Sequence, residues 1–158
     1  MKALYWVLLV IALVLLLLGV VYFQSPFTDK VDQTLLDQYF VQSIIWGLVV
    51  GAVSGVVFGL LAERTVRVRP REEPGSFHGR VALFGIVGGL VALVLAGALA
   101  AFLASAQSAW QISEGERVRL VVGSGRFLAV PAAALLGSLA VYALVTRTRT
   151  WNGRRAIV

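Results

Sequence analysis

The sequence predicts an all-α integral membrane protein in which four transmembrane helices form a single bundle. Hydrophobic residues make up 59% of the 158-residue chain. Charged residues make up 14%, against about 25% in ordinary soluble domains. A helix needs about 20 apolar residues to cross the hydrocarbon core of a bilayer. Four stretches meet this requirement, namely residues 3–23, 41–62, 81–104 and 126–146. The segments between them are too short for a soluble domain, so residues 1–158 form one membrane domain.

The first span, residues 3–23, is rich in Leu and Val and follows Lys2. We interpret it as a retained helix, because its apolar core is too long for a signal peptide and no small-x-small cleavage site follows. The polar segment 24–40 leads to the second span. Its apolar residues recur at helical spacing, which favours an interfacial helix continuous with that span over an ordinary loop; they are Val31, Leu35, Leu36, Tyr39 and Phe40.

The third span, residues 81–104, is rich in Gly and Ala. The connection that follows it, residues 105–125, contains Val118, Leu120 and a Gly-Ser-Gly sequence at 123–125. This pattern fits either a short strand with a turn or the beginning of the next helix. The fourth span then runs over residues 126–146.

Small residues at intervals of four predict how the spans pack. In a bilayer such a row forms a flat groove that accepts a neighbouring backbone. The second span carries Gly47, Gly51, Gly55 and Gly59. Similar rows occur in the third and fourth spans, and the packing residues predicted there are Gly88, Ala92, Ala96 and Gly137. We therefore expect glycine-zipper packing, with the second and third spans closest and meeting near Gly51 and Gly55. The first span, which has few small residues, should be peripheral.

The basic residues predict the orientation of the chain. Ten Lys and Arg residues lie in the N-terminus, the middle loop and the C-terminal tail, and four, including Arg126, lie in the other two loops. The positive-inside rule then places both termini in the cytoplasm, as in a prokaryotic plasma membrane. Tryptophan is typical of membrane interfaces, and one is expected near an end of each span; these are Trp6, Trp46, Trp110 and Trp151.

Two interpretations are open for the arginines beside the second and fourth spans. They either contact anionic lipid headgroups and set the topology, or they dock an acidic partner in the cytoplasm. The residues concerned are Arg64, Arg67, Arg69, Arg71, Arg147 and Arg149. Because these basic residues flank apolar spans, nucleic acid is not an expected partner; the expected ones are the lipid bilayer and other membrane subunits.

The sequence offers few groups for chemistry. Between their flanking residues the spans contain no Asp, Glu, Lys, Arg or His, and an ionisable residue at that depth would mark a functional site. The single histidine, His78, could be an axial ligand of a haem or chlorin, but a solvated or headgroup-contacting role is the favoured interpretation. Cysteine is absent. We therefore predict a protein that is not an enzyme, and the sequence identifies no cofactor.

The favoured function is a non-catalytic accessory subunit of a larger membrane complex, with a respiratory or photosynthetic assembly as a natural host. This expectation depends mainly on the lack of buried charge, cofactor ligands and a soluble domain. The alternative is a homo-oligomeric channel or small-solute transporter. In that case the glycine row of the second span would face a pore or a symmetry-related copy.

Overall fold

The computed structural model describes residues 2–21, 31–66, 74–147, 150–151 and 154–155. Within these residues the fold is a helical bundle with four helices long and apolar enough to span a membrane. The spanning helices are α1 (Lys2–Val21), α2 (Gln33–Thr65), α3 (Pro74–Ser105) and α5 (Ala129–Arg147). A short helix α4 (Glu114–Val122) and a 3₁₀ turn (Gly125–Leu128) connect α3 to α5. Two antiparallel strands of two residues each, Thr150–Trp151 and Arg154–Arg155, follow α5.

Helix α2 begins well before its apolar span. Asp32 is its N-cap, and the side chain of Asp32 accepts a hydrogen bond of 2.9 Å from the backbone N–H of Thr34. The helix is then continuous from Gln33 to Thr65, and Leu36, Tyr39 and Phe40 are buried along one face of it. The predicted helix leading into the second span is confirmed from Gln33 onward, and the ordinary-loop alternative is wrong there.

The connection between α3 and α5 is helical, as one of the two sequence interpretations proposed. Ser113 is the N-cap of α4, and its Oγ accepts a hydrogen bond from the backbone N–H of Glu116. Leu120 and Val121 are buried on one side of α4. Such capping favours a helix start over a strand, because it satisfies a backbone donor that has no partner in the first turn.

Helix α5 is the central helix of the bundle. Half of its apolar span is buried, against 17% for α1, 28% for α2 and 33% for α3. It packs against all three of the other spanning helices. Contacts along its length show that α2 runs parallel to α5, whereas α1 and α3 run antiparallel to it. The start of α1 therefore lies at the same end of the bundle as the end of α5.

We name the two ends of the bundle by their residues. The basic end contains Lys2, Arg64, Arg80 and Arg147. The α4 end contains helix α4 and the 3₁₀ turn.

The glycine row of α2 lies against the backbone of α5. A Cβ atom added at Gly47 would lie 2.7 Å from the carbonyl oxygen of Val130, and one added at Gly55 would lie 2.6 Å from that of Ser138. Added at Gly51, it would collide with the carbonyl oxygen of Ala134. The approach is mutual, because a Cβ atom added at Gly137 of α5 would lie 3.0 Å from the carbonyl oxygen of Leu48 in α2.

The prediction that Gly51 and Gly55 meet the third span is therefore wrong. Alanines and a glycine recur every four residues in α5 as they do in α3. It is the backbone of α5 that packs into the glycine groove of α2. Small residues of α3 receive large side chains instead of a backbone. A Cβ at Gly88 would meet the ring of Phe58, and one at Gly89 would meet Leu135. Ala92 and Ala96 are buried in a cluster that includes Tyr39 and Trp110.

Helix α1 attaches to the bundle along one narrow stripe. Its buried residues are Tyr5, Ala12 and Gly19, spaced seven apart, and the rest of its surface is mostly exposed. A Cβ added at Gly19 would lie 2.6 Å from the Cβ of Ala129 at the start of α5. The first span is peripheral, as expected, yet it fits closely where it does make contact.

Candidate functional site

The most unusual polar group in the described part of the chain is a buried arginine at the α4 end. Arg126 lies in the 3₁₀ turn before α5 and is 1% exposed. Its Nη1 atom donates a hydrogen bond of 2.5 Å to Oδ1 of Asp37 in α2. The side chains of the two residues are 2% and 40% exposed, respectively. The pair is therefore an ion pair with one buried member and one member that solvent can reach.

Local sequence positions both members of the pair. Ser124 precedes the 3₁₀ turn, and its Oγ accepts a hydrogen bond of 3.3 Å from the backbone N–H of Arg126. Asp37 lies in the second turn of α2. The guanidinium carbon of Arg126 is 5.7 Å from the centre of the Phe40 ring, within the range of a cation–π interaction. The arginine is thus held by a carboxylate and by an aromatic face of the same helix.

Aromatic residues pack beside this pair. The hydroxyl group of Tyr39 donates a hydrogen bond to the carbonyl oxygen of Ala100 in α3. Its ring meets Trp110 edge to face at 5.3 Å between centroids. Trp110 is 3% exposed and packs inside the protein, shortly after the end of α3; its place at a membrane interface stays a prediction. Trp6 and Trp46 are half exposed, and Trp151 lies beyond the residues whose side chains are described.

Sequence reasoning missed the role of Arg126. We counted it among the loop charges that set topology, because it stands at the beginning of an apolar span. Its partner is 89 residues away in the sequence, and no local pattern links the two. The only signal is an arginine at the first position of a span together with an aspartate in a distant polar segment, and that segment, residues 24–40, contains three aspartates.

The arrangement at Arg126 is a tie between the beginning of α5 and helix α2. A buried charge is tolerated when it is paired and hydrogen-bonded. Proton and ion paths through membranes commonly use charged or titratable side chains such as Asp, Glu and His, and residues 41–62, 81–104 and 127–146 contain no Asp, Glu, Lys, Arg or His. Deeper in the bundle some of the polar groups form hydrogen bonds between helices.

Three hydroxyl groups make these deeper bonds. Tyr5 of α1 donates to the carbonyl oxygen of Leu139 in α5, and Tyr142 of α5 donates to that of Val81 in α3. Ser54 of α2 donates to the carbonyl oxygen of Gly88 in α3, at 2.8 Å. A serine inside a helix often bonds back to its own backbone, but Ser54 bonds across to a neighbouring helix. Each bond uses the second lone pair of a helical carbonyl.

His78 lies at the basic end, at the wall of a cavity between the first turns of α1 and α3. It is half-buried, and its ring meets Phe77 at 5.6 Å between centroids. In the part of the chain that the structure describes, no three His, Cys, Asp or Glu side chains form a group that could hold a metal ion. The interpretations of His78 as an axial ligand or as a headgroup contact both remain predictions.

The arginines predicted to contact lipid or a partner fall into two sets. Arg64 is exposed in the last turn of α2, and Arg147 is exposed at the end of α5. Both lie at the basic end of the bundle. Arg67, Arg69, Arg71 and Arg149 lie outside the described residues.

Comparison with protein-family models, with curated proteins and with solved structures finds no match to this chain. The functional interpretation therefore depends on the residues and geometry described above.

Proposed function

We propose that the protein is a non-catalytic accessory subunit of a larger membrane complex and serves there as a rigid, membrane-embedded spacer between its neighbours. The observation that carries this proposal is that α5 fills the glycine row of α2. The groove is the surface that the channel alternative would use for a pore or for a symmetry-related copy. Its occupation by the chain's own helix favours the subunit interpretation.

The use of polar groups supports the same proposal. The hydroxyl groups of Tyr5, Tyr142 and Ser54 tie neighbouring helices together, and Arg126 ties the beginning of α5 to α2. Such bonds fix the relative positions of helices and give a single rigid arrangement. A rigid block with apolar outer faces is suited to holding other membrane helices in place.

The setting we propose is a prokaryotic plasma membrane, with both termini in the cytoplasm and with glycine-zipper packing between α2 and α5. An energy-transducing complex of respiration or photosynthesis is the proposed host. The partners are then the lipid bilayer and other membrane subunits.

Purification from the native membrane tests this proposal. A strain with a tagged chromosomal copy is mixed, before solubilisation, with an isotope-labelled strain that carries the untagged protein. We expect other polypeptides to copurify in fixed stoichiometry and without label, because subunits assembled in the cell do not exchange during extraction. The labelled strain is the control for association after lysis.

Two outcomes would contradict the proposal. A monomer with no associated polypeptide would leave no complex for it to serve. A discrete homo-oligomer without other polypeptides that also conducts solute in liposomes would establish the channel alternative.

A further inference from the structure

The basic end contains a cavity that the proposed subunit role does not use. It has a volume of about 760 Å³ and lies between the beginning of α1 and the first three turns of α3. Its walls include Lys2 and Ala3 from α1, and Ser76, His78, Arg80 and Leu83 from α3. The volume is within the range of small-molecule sites, about 300–1,000 Å³.

The polar lining of this cavity is suited to an anion. Lys2 and Arg80 are the two basic side chains of the lining. Ser76 provides a hydroxyl group, and the imidazole of His78 provides a further ring N–H. Among the described residues that line the cavity none is acidic. An anion with several oxygen atoms, such as a phosphate group, matches a set of side chains that act mainly as donors.

The surroundings of the cavity distinguish a lipid from a soluble anion. Leu83 on its wall is 43% exposed, and Leu4, next to Ala3 in α1, is 47% exposed. Both belong to helices that are apolar enough to span a membrane. The charged side chains therefore stand at the end of the apolar surface, where the headgroups of a bilayer lie. A ligand here meets positive charge at one end and apolar helix surface at the other.

From this placement we propose that the cavity binds the phosphate headgroup of one anionic phospholipid, with its acyl chains along the exposed apolar residues of α1 and α3. Basic pockets between spanning helices on the cytoplasmic side are a known form of headgroup site. The proposal is independent of the subunit role, since it concerns a ligand of the isolated chain. It also differs from the general attraction of Arg64 and Arg147 for a charged membrane surface, because it predicts a single site.

Lipid binding to the purified protein tests the proposal. The full chain is delipidated in a mild detergent, phosphatidylglycerol or phosphatidylcholine is added, and bound lipid is counted by native mass spectrometry. We expect one phosphatidylglycerol to bind at least tenfold more tightly than phosphatidylcholine. The double variant Lys2→Gln/Arg80→Gln should lose at least tenfold in that affinity.

The matched control is Arg64→Gln/Arg147→Gln, which removes the same charge from the same end but outside the cavity. We expect less than a twofold change for it. Equal losses in the two double variants would overturn the proposal, because they would indicate attraction to the surface as a whole. Competition by 10 mM inorganic phosphate that abolishes lipid binding would assign the cavity to a soluble anion instead.

A second variant tests the proposal in case the double variant Lys2→Gln/Arg80→Gln does not fold. Ser76→Trp keeps every charge and places a large ring at the exposed rim of the cavity. We expect it to weaken phosphatidylglycerol binding at least tenfold while the helical circular dichroism signal stays unchanged. Undiminished binding of one phosphatidylglycerol by this folded variant would also overturn the proposal.

Discussion

Replacing Gly51 by alanine adds a single methyl group where two helix backbones meet. The new Cβ would collide with the carbonyl oxygen of Ala134 and would lie 2.9 Å from both the carbonyl carbon of Ala134 and the amide nitrogen of Ser138. These atoms belong to backbone and cannot rotate away as a flexible side chain could. Since nonbonded carbon atoms are best separated by about 3.5–4.0 Å, α2 and α5 must part by roughly 1 Å.

The size of the effect follows from that separation. A gap of about 0.5–1 Å forfeits a quarter to a half of the dispersion attraction between the atoms that line it, and the glycines on either side of Gly51 share the same contact. Overpacking of this kind destabilises by roughly 1–3 kcal/mol. The usual gain from replacing glycine by alanine in a helix is small here, because a chain in a membrane or in detergent keeps its helices when the bundle comes apart.

The free energy of unfolding by sodium dodecyl sulfate in mixed micelles measures this change. Gly97→Ala is the matched control, since the same methyl group in α3 would meet only Cζ of Phe127, at 3.9 Å. We expect the control to lie within about 0.5 kcal/mol of the parent protein. If Gly51→Ala were no more destabilising than Gly97→Ala, the close contact between α2 and α5 would be refuted.

Three further predictions concern the two ends of the bundle. Asp37→Asn should lower the free energy of unfolding by about 3 kcal/mol, because it leaves a buried guanidinium without its carboxylate. Arg126→Met should lower it less, because the carboxylate that remains can be reached by water. The same unfolding titration measures both variants, and the reverse order would contradict the burial of Arg126. The chain has no cysteine, so single cysteines at Ser76 and Gln111 should react with an impermeant maleimide from opposite sides of the membrane, and labelling of both from outside would contradict the four-span topology. His78→Ala should leave the absorption spectrum of the native preparation unchanged, and the loss of a visible band would establish axial ligation.

The number and position of the spans could be predicted from the sequence because hydropathy acts over whole segments. Predicted residues 81–104 lie within α3, and residues 126–146 correspond to the helical segment from Gly125 to Arg147. The helical start of α2 was also predictable, since residues such as Leu36 and Phe40 repeat at the helical period before the span begins. These features depend on neighbours in sequence, which one chain displays directly.

The pairing of helices could not be predicted in the same way. Rows of small residues occur in α2, α3 and α5, so composition leaves more than one partner for Gly51. The choice depends on large side chains: Phe58 and Leu135 fill the positions beside Gly88 and Gly89, which leaves the backbone of α5 free to enter the groove of α2. The burial of Arg126 escaped prediction for a related reason, since only the folded chain brings it to Asp37.

The central position of α5 has a consequence for biogenesis. Among the four spans, α5 is the last to leave the ribosome, yet both α1 and α2 find their main packing surface on it. Until α5 is inserted, the groove around Gly51 faces lipid and the hydroxyl group of Tyr5 lacks its acceptor on Leu139. The two spans α1 and α2 therefore lack their main packing surface until α5 is inserted, and the bundle is complete only after that step. A nascent chain that stops before residue 129 would present an open groove to membrane quality-control proteases, whereas the finished bundle would hide it.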